Sequence, residues 1–133
     1  MSISSESVKA ALHLDKMYFD KIEYRRSSVL DDSPEYKINF TREIKAGSNN
    51  EFMVSLQANI TDENDMMELH IRVIGEFRCE LDDRDPLRDG FVNKNSIAIL
   101  FPYLRSQISL VTTQPDIPPI VLPPMNIVNM FND

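Results

Sequence analysis

Six of the eight prolines in this 133-residue chain fall between Pro102 and Pro124, at positions 102, 115, 118, 119, 123 and 124. Proline lacks a backbone donor and clashes with the preceding helical turn, so neither a long helix nor a central strand runs through 115–124. Yet the segment is apolar. Beyond Asp116 come nine large apolar residues: Ile117, Ile120, Val121, Leu122, Met125, Ile127, Val128, Met130 and Phe131. Burial of each is worth about 1.5 to 3 kcal/mol, so leaving all nine wet would forgo as much as a typical domain's whole stability, about 5 to 15 kcal/mol. The prolines stiffen the segment toward polyproline II and so lower the entropy cost of fixing it. The strap must be covered.

Upstream, the pattern is that of strands. Phe52, Val54, Leu56, Ala58 and Ile60 alternate with Met53, Ser55, Gln57 and Asn59, which gives one buried and one wet face. Tyr36, Ile38, Phe40 and Ile44 form a similar row before it, and Met67, Leu69, Ile71, Val73, Phe77, Cys79 and Leu81 one after it. The intervening "KAGSNNE" and "TDENDM" read as hairpin turns, built on Asn, Asp and Ser because glycine is scarce. A first strand is less regular. Leu12, Leu14, Tyr18, Ile22 and Tyr24 share one parity, while Met17 and Phe19 take the other. Two explanations stand: a bulge that flips the register, or an apolar spot on the outer face. The following link, "RRSSVLDDSP", is longer than a tight hairpin and has room to cross another element.

Helical periodicity begins only after Pro86. Ile97, Leu100, Phe101, Leu104, Ile108 and Val111 follow three-four spacing, and Ile99, Tyr103 and Leu110 add a second stripe. Pro102 is expected in a first turn or at a kink, and Pro115 as the stop. From Asn126 only a short helical piece fits. The expected fold is α+β, with a four-stranded antiparallel sheet carrying one long helix and a short second helix on one face. Four strands make a sheet about 15 to 20 Å wide, whereas one helix covers a band of about 10 Å. The apolar sheet face thus exceeds its cover, and the strap, another subunit or an extended guest must supply the rest.

Composition limits the function classes. The length fits a single domain, 1–133, with residues 1–10 expected to be flexible. A net charge of −7 disfavours nucleic acid and anionic membranes as partners. No apolar run reaches transmembrane length, and the N-terminus lacks the pattern of a secretory signal. The single cysteine, Cys79, fits a reducing compartment, so a cytoplasmic location is expected. His13 and His70 lie on different strands with no cysteine nearby to complete a metal site, and Cys79 has the parity of a core residue. The acidic runs "DDSPE", "TDENDMME" and "ELDDRD" lack the ligand order of a calcium loop and read as solvated turns. No phosphate-binding loop, dinucleotide fingerprint or nucleophile elbow occurs. No catalysis, metal or cofactor is expected.

At "NSIAILFPYLRSQISLVTTQPDIPPIVLPPMNIVNMF" the chain resembles the SecB family of bacterial protein-export chaperones. "ILFPYLR" is similar to the opening of the family's long helix, and "PPIVLPPMNI" to the loop that follows it. "DKMYFDKIEY", "PEYKINF", "EFMVSLQANI" and "ELHIRVIGEF" occupy the places of the four strands. The resemblance spans nearly the whole chain, from Leu12 to Phe131. It implies homo-oligomers (tetramers, otherwise dimers) that hold unfolded or partly folded protein clients in apolar grooves, without cofactor or catalysis.

Carried over residue by residue, the resemblance makes Phe101, Tyr103, Ile117, Ile120, Leu122, Met125, Ile127 and Phe131 the candidate client groove. Met17, Phe19, Ile99 and Leu110 become the candidate oligomer interface. Two departures matter. Acids of the first and fourth strands form part of the family's docking surface for the motor SecA, and Lys21, Arg25 and Arg72 stand at those places here. Opposite charge should weaken that contact. The chain also ends soon after "NMF", without most of the second helix and the acidic motor-binding tail of the family pattern. Three functions remain open: a general holdase serving protein export, a partner-specific chaperone such as one for a toxin–antitoxin system's antitoxin, and an interaction module that kept only the fold. The strap itself is either a groove wall or a self-docked part of the core, since both bury the same residues.

Overall fold

Four antiparallel strands, β1 (Leu12–Arg26), β2 (Tyr36–Ala46), β3 (Glu51–Asp62) and β4 (Met67–Cys79), form one sheet in the order β1-β4-β3-β2. The computed structural model describes residues 11–28 and 33–131, so the expected flexibility of residues 1–10 falls outside the described residues. β1 and β2 occupy opposite edges of the sheet, two strands apart, a separation that a tight hairpin cannot span.

The turns carry the strain that glycine would otherwise take. Asn49 and Asn50 adopt φ of 54° and 68°, and Asp65 a φ of 55°. Asn and Asp tolerate this left-handed region because their short polar side chains bond locally. Asp62 is buried at the β3–β4 corner, where its carboxylate accepts the Met67 N–H at 2.8 Å.

β1 resolves the parity problem with two register shifts, one between Leu14 and Lys16 and one between Phe19 and Lys21. Met17 therefore pairs with Gly75 and Phe19 with Val73, on the face that carries the core, while Ile22 and Tyr24 return to that face opposite Ile71 and Leu69. The bulge reading holds. The alternative, Met17 and Phe19 as an apolar spot on the outer face, is corrected.

After β4 the chain turns at Asp82 and Asp85, whose carboxylates cap the N–H groups of Arg84 and Leu87 at 2.9 Å each. A helical turn (Arg88–Gly90) and a π-helical turn (Phe91–Asn95) then lead into the main helix, α1 (Ser96–Val111). Arg88 ties this start to the end of β4 by donating to the carbonyls of Cys79 (3.2 Å) and Leu81 (2.7 Å). Pro102 lies inside α1 rather than in its first turn, on the exposed side of the helix. Ile97, Leu100, Phe101, Leu104 and Ile108 are buried, and α1 packs mainly on β3 and β4. Gly75 permits the close approach, because a Cβ there would stand 2.5 Å from the Phe77 ring and 2.9 Å from a Leu100 methyl. The short second helix is a single 3-10 turn, Ile127–Met130.

Candidate functional site: the strap and the two flanks of the main helix

Because α1 sits over the two central strands, it has one flank toward β2 and another toward β1. Phe101 marks the β2 flank, its ring meeting Phe40 edge-on at 5.8 Å. The strap docks on this flank through two hydroxyls near the helix end. Ser109 donates to the Ile120 carbonyl at 2.8 Å, and Thr112 accepts the Ile120 N–H at 2.8 Å. Thr112 also donates to the Ile108 carbonyl at 2.7 Å, closing the last turn. Both backbone groups of Ile120 are satisfied by the helix, which takes the place of a neighbouring strand.

With its backbone fixed, the strap alternates. Ile120, Leu122 and Ile127 are buried and join the main core cluster, whereas Val121 is 72% exposed and Pro118, Pro119, Pro123 and Pro124 face solvent. Ile117, Met125 and Phe131 are half-buried. Phe131 reaches β2, where the Arg42 guanidinium lies over its ring at 4.9 Å and donates to the Asn93 carbonyl at 2.8 Å. At the other end of the strap, Arg26 of β1 clasps Asp116 with two hydrogen bonds of 2.8 Å. That clasp holds the Asp116 carboxyl below its ordinary range and raises the Arg26 guanidinium further.

The candidate groove residues therefore do not form one lining. Phe101 and the strap residues gather on the β2 flank, and four of them (Phe101, Ile120, Leu122 and Ile127) are packed inside the protein's own core. Tyr103 stands roughly 200° around the helix from Phe101 at 3.6 residues per turn, and is 48% exposed. Leu110 shares its side of the helix and is 68% exposed, and Ile99 is half-buried. On the same face of the sheet, β1 presents half-buried Met17 and Phe19, with Ile22 46% exposed. The β2 flank is covered by the chain itself; the β1 flank carries the uncovered apolar surface.

Lys21, Arg25 and Arg72 lie together on the opposite face of the sheet, as the pairing of Lys21 with Arg72 and of Arg25 with Glu68 requires. Two of the three are neutralised locally. Arg72 makes a two-pronged bond to Asp20 at 2.8 Å, lowering the Asp20 carboxyl, and Arg25 donates to Glu68 at 2.9 Å. His70 lies beside this pair, hydrogen-bonded to Glu68 and Asn59. Sequence reasoning missed Ser109, Thr112 and the Arg26–Asp116 clasp. Two hydroxyls at a helix end are a weak signal, and an ion pair 90 positions apart leaves none.

A four-stranded antiparallel sheet with a long helix and a strap on one face is the architecture of the SecB-like chaperones. The structure matches that of the Mycobacterium tuberculosis Rv1957 SecB-like chaperone in complex with a ChAD peptide from the Rv1956 HigA1 antitoxin. The TM-score is 0.74 at 15% identity, over 89% of this chain and 93% of that one. Residues 7–133 match the SecB family, "Preprotein translocase subunit SecB", and the chain belongs to that family. It is also 32% identical over 131 residues to the "Uncharacterized protein MJ0357" of Methanocaldococcus jannaschii, covering 92% of this chain and 84% of that protein. Among the described residues, no helix is long and apolar enough to cross a membrane.

Proposed function

We propose that this protein is a SecB-like chaperone that holds unfolded or partly folded polypeptides on the helix side of its sheet. The observation that carries the reading is the apolar surface left by an incomplete cover: Ile22, Tyr103, Leu110 and Val121 stand in water around α1. A folded monomer gains nothing from such exposure, and contiguous apolar surface marks places where other chains bind. Family membership supports the same reading. Part of that surface serves a homo-oligomer, a tetramer or dimer, through Met17, Phe19, Ile99 and Leu110, and the rest serves clients. Clients reaching Phe101, Ile120 and Leu122 must displace the strap that now fills their place.

A partner-specific role, as chaperone of an antitoxin, is the second reading. The structural relative carrying an antitoxin peptide favours it, and so do Lys21, Arg25 and Arg72, which the family resemblance sets at the places of the acids that dock SecA. An export role through SecA is disfavoured on that account. The decisive assay follows aggregation of a chemically unfolded protein in the presence of a stoichiometric amount of this one. Suppression is the expected result; unchanged aggregation at a severalfold excess would leave only an interaction module. Calorimetry against SecA at low salt then separates the roles, with weak or no binding expected.

A further inference from the structure

We propose that His70 is a proton-operated relay, whose protonation sets the donor–acceptor direction of three side-chain amides, Asn59, Gln57 and Asn39, on the face of the sheet opposite α1. The inference goes beyond the chaperone reading and does not depend on it. Strand pairing places Glu23, His70, Asn59 and Asn39, one from each strand, in a single row across that face. His70 Nε2 lies 2.7 Å from a Glu68 carboxylate oxygen, and its Nδ1 meets the Asn59 side-chain oxygen. The same Asn59 oxygen accepts from the Gln57 amide at 2.7 Å, while the Asn59 amide donates to the Asn39 side-chain oxygen at 2.9 Å. Both ring nitrogens thus face oxygens, and an oxygen with only lone pairs requires an N–H. This arrangement is that of an imidazolium donating both ways. Glu68 does not hold the proton instead: its carboxyl lies below its ordinary range, first because of its bond to His70 and then because of its bond to Arg25.

Loss of the Nδ1 proton reverses the row. Nε2 keeps its N–H for the carboxylate, and Nδ1 turns a lone pair toward the Asn59 oxygen. The contact is restored when Asn59 turns its amide over and donates to Nδ1. Its N–H groups then meet the Gln57 amide, and its oxygen meets the Asn39 oxygen, so both of these turn over as well. The row therefore has two self-consistent directions, and any mixture sets donor against donor or acceptor against acceptor. In the first, Asn39 offers N–H groups to water; in the second, it offers its oxygen. Two strand spacings, about 10 Å, carry the signal from β4 to β2. The charged groups facing the ring are Glu23, Arg25 and Lys21 from β1 and Glu68 and Arg72 from β4, with Arg72 held by Asp20. β3 contributes the neutral Gln57, Asn59 and Thr61, and Lys37 of β2 lies two residues from Asn39. Imidazole is the side chain whose charge changes near neutral pH, and that of His70 is 25% exposed, open to protons from solvent.

The test is nuclear magnetic resonance of the 15N-labelled protein, titrated between about pH 5 and 8, where imidazole changes charge. The side-chain amide signals of Asn59, Gln57 and Asn39 should move with one midpoint, that of the His70 ring, and the neutral ring should keep its proton on Nε2. His70→Gln should flatten all three signals. Asn59→Ser should leave the ring titrating and silence Asn39, which a charge acting through space would not do. An Asn39 signal that stays flat in the wild type, or that still follows the ring in Asn59→Ser, would overturn the relay. So would a neutral ring protonated at Nδ1, or a ring that keeps one charge throughout the range.

Discussion

The Thr112 hydroxyl accepts the Ile120 N–H at 2.8 Å while donating to the Ile108 carbonyl at 2.7 Å. One buried side chain thus ends the helix and begins the docking of the strap. Replacing it by the near-isosteric valine keeps the packing and strands a buried N–H. Thr112→Val should cost about 1 to 3 kcal/mol in urea unfolding, the range for leaving a buried donor unpaired. A change within error would mean that the strap finds another seat.

Gly75 sits beneath Leu100 and beside the Phe77 ring, with no room for a methyl group. Gly75→Ala should therefore destabilise by overpacking, by about 1 to 3 kcal/mol, despite alanine's better intrinsic fit to ordered backbone. Differential scanning calorimetry reads this directly. An unchanged or higher Tm would show that α1 floats above β4 rather than pressing on it.

Acid should loosen the strap. The Asp116 carboxyl lies below its ordinary value, first because of its hydrogen bonds to Arg26. A depressed folded-state pKa contributes stability that is fully present above the unfolded-state value of about 3.9 and is lost as pH falls through the folded-state value. Stability measured downward from about pH 5 should thus fall more steeply in the wild type than in Asp116→Asn. Parallel acid profiles for the two proteins would exclude the clasp as a contributor.

Leu110 stands 68% exposed on the uncovered flank of α1. Leu110→Asp should leave the fold within about 0.5 kcal/mol, as surface changes do, and yet dissociate the oligomer. Light scattering should register a fall from a multiple of 15.3 kDa toward 15.3 kDa itself. A wild type already monomeric at micromolar concentration would remove the oligomer from the reading.

β2, β3 and β4 were legible because each keeps one parity from end to end, so alternation alone assigns their faces. β1 was half legible. Its two shifts move Met17 and Phe19 onto the core face, and no one-dimensional pattern separates that from an outward spot. The strap announced itself by composition, yet composition could not say whether Ile120 and Leu122 serve a guest or the core. In the structure the Ser109 and Thr112 bonds fix the Ile120 backbone, and the side chains of Ile120 and Leu122 pack into the core cluster. The resemblance groups Tyr103 with Phe101 in one groove, whereas the periodicity already sets Tyr103 on a second stripe with Ile99 and Leu110, and helical rotation keeps the two apart. Long-range pairs such as Arg26 with Asp116 form only once the fold exists.

The two irregularities of β1 each absorb one residue, Asp15 in the first and Asp20 in the second. The first moves inward-facing positions from even to odd numbers, and the second restores them, so that only Met17 and Phe19 are read in the altered frame. A lineage that lost either extra residue would keep every side chain on its present face, because the residues around each bulge already pair with consecutive residues of β4. A lineage that lost both would present a straight edge. Among relatives of this chain, single-residue losses within the first strand should therefore fall at positions 15 and 20.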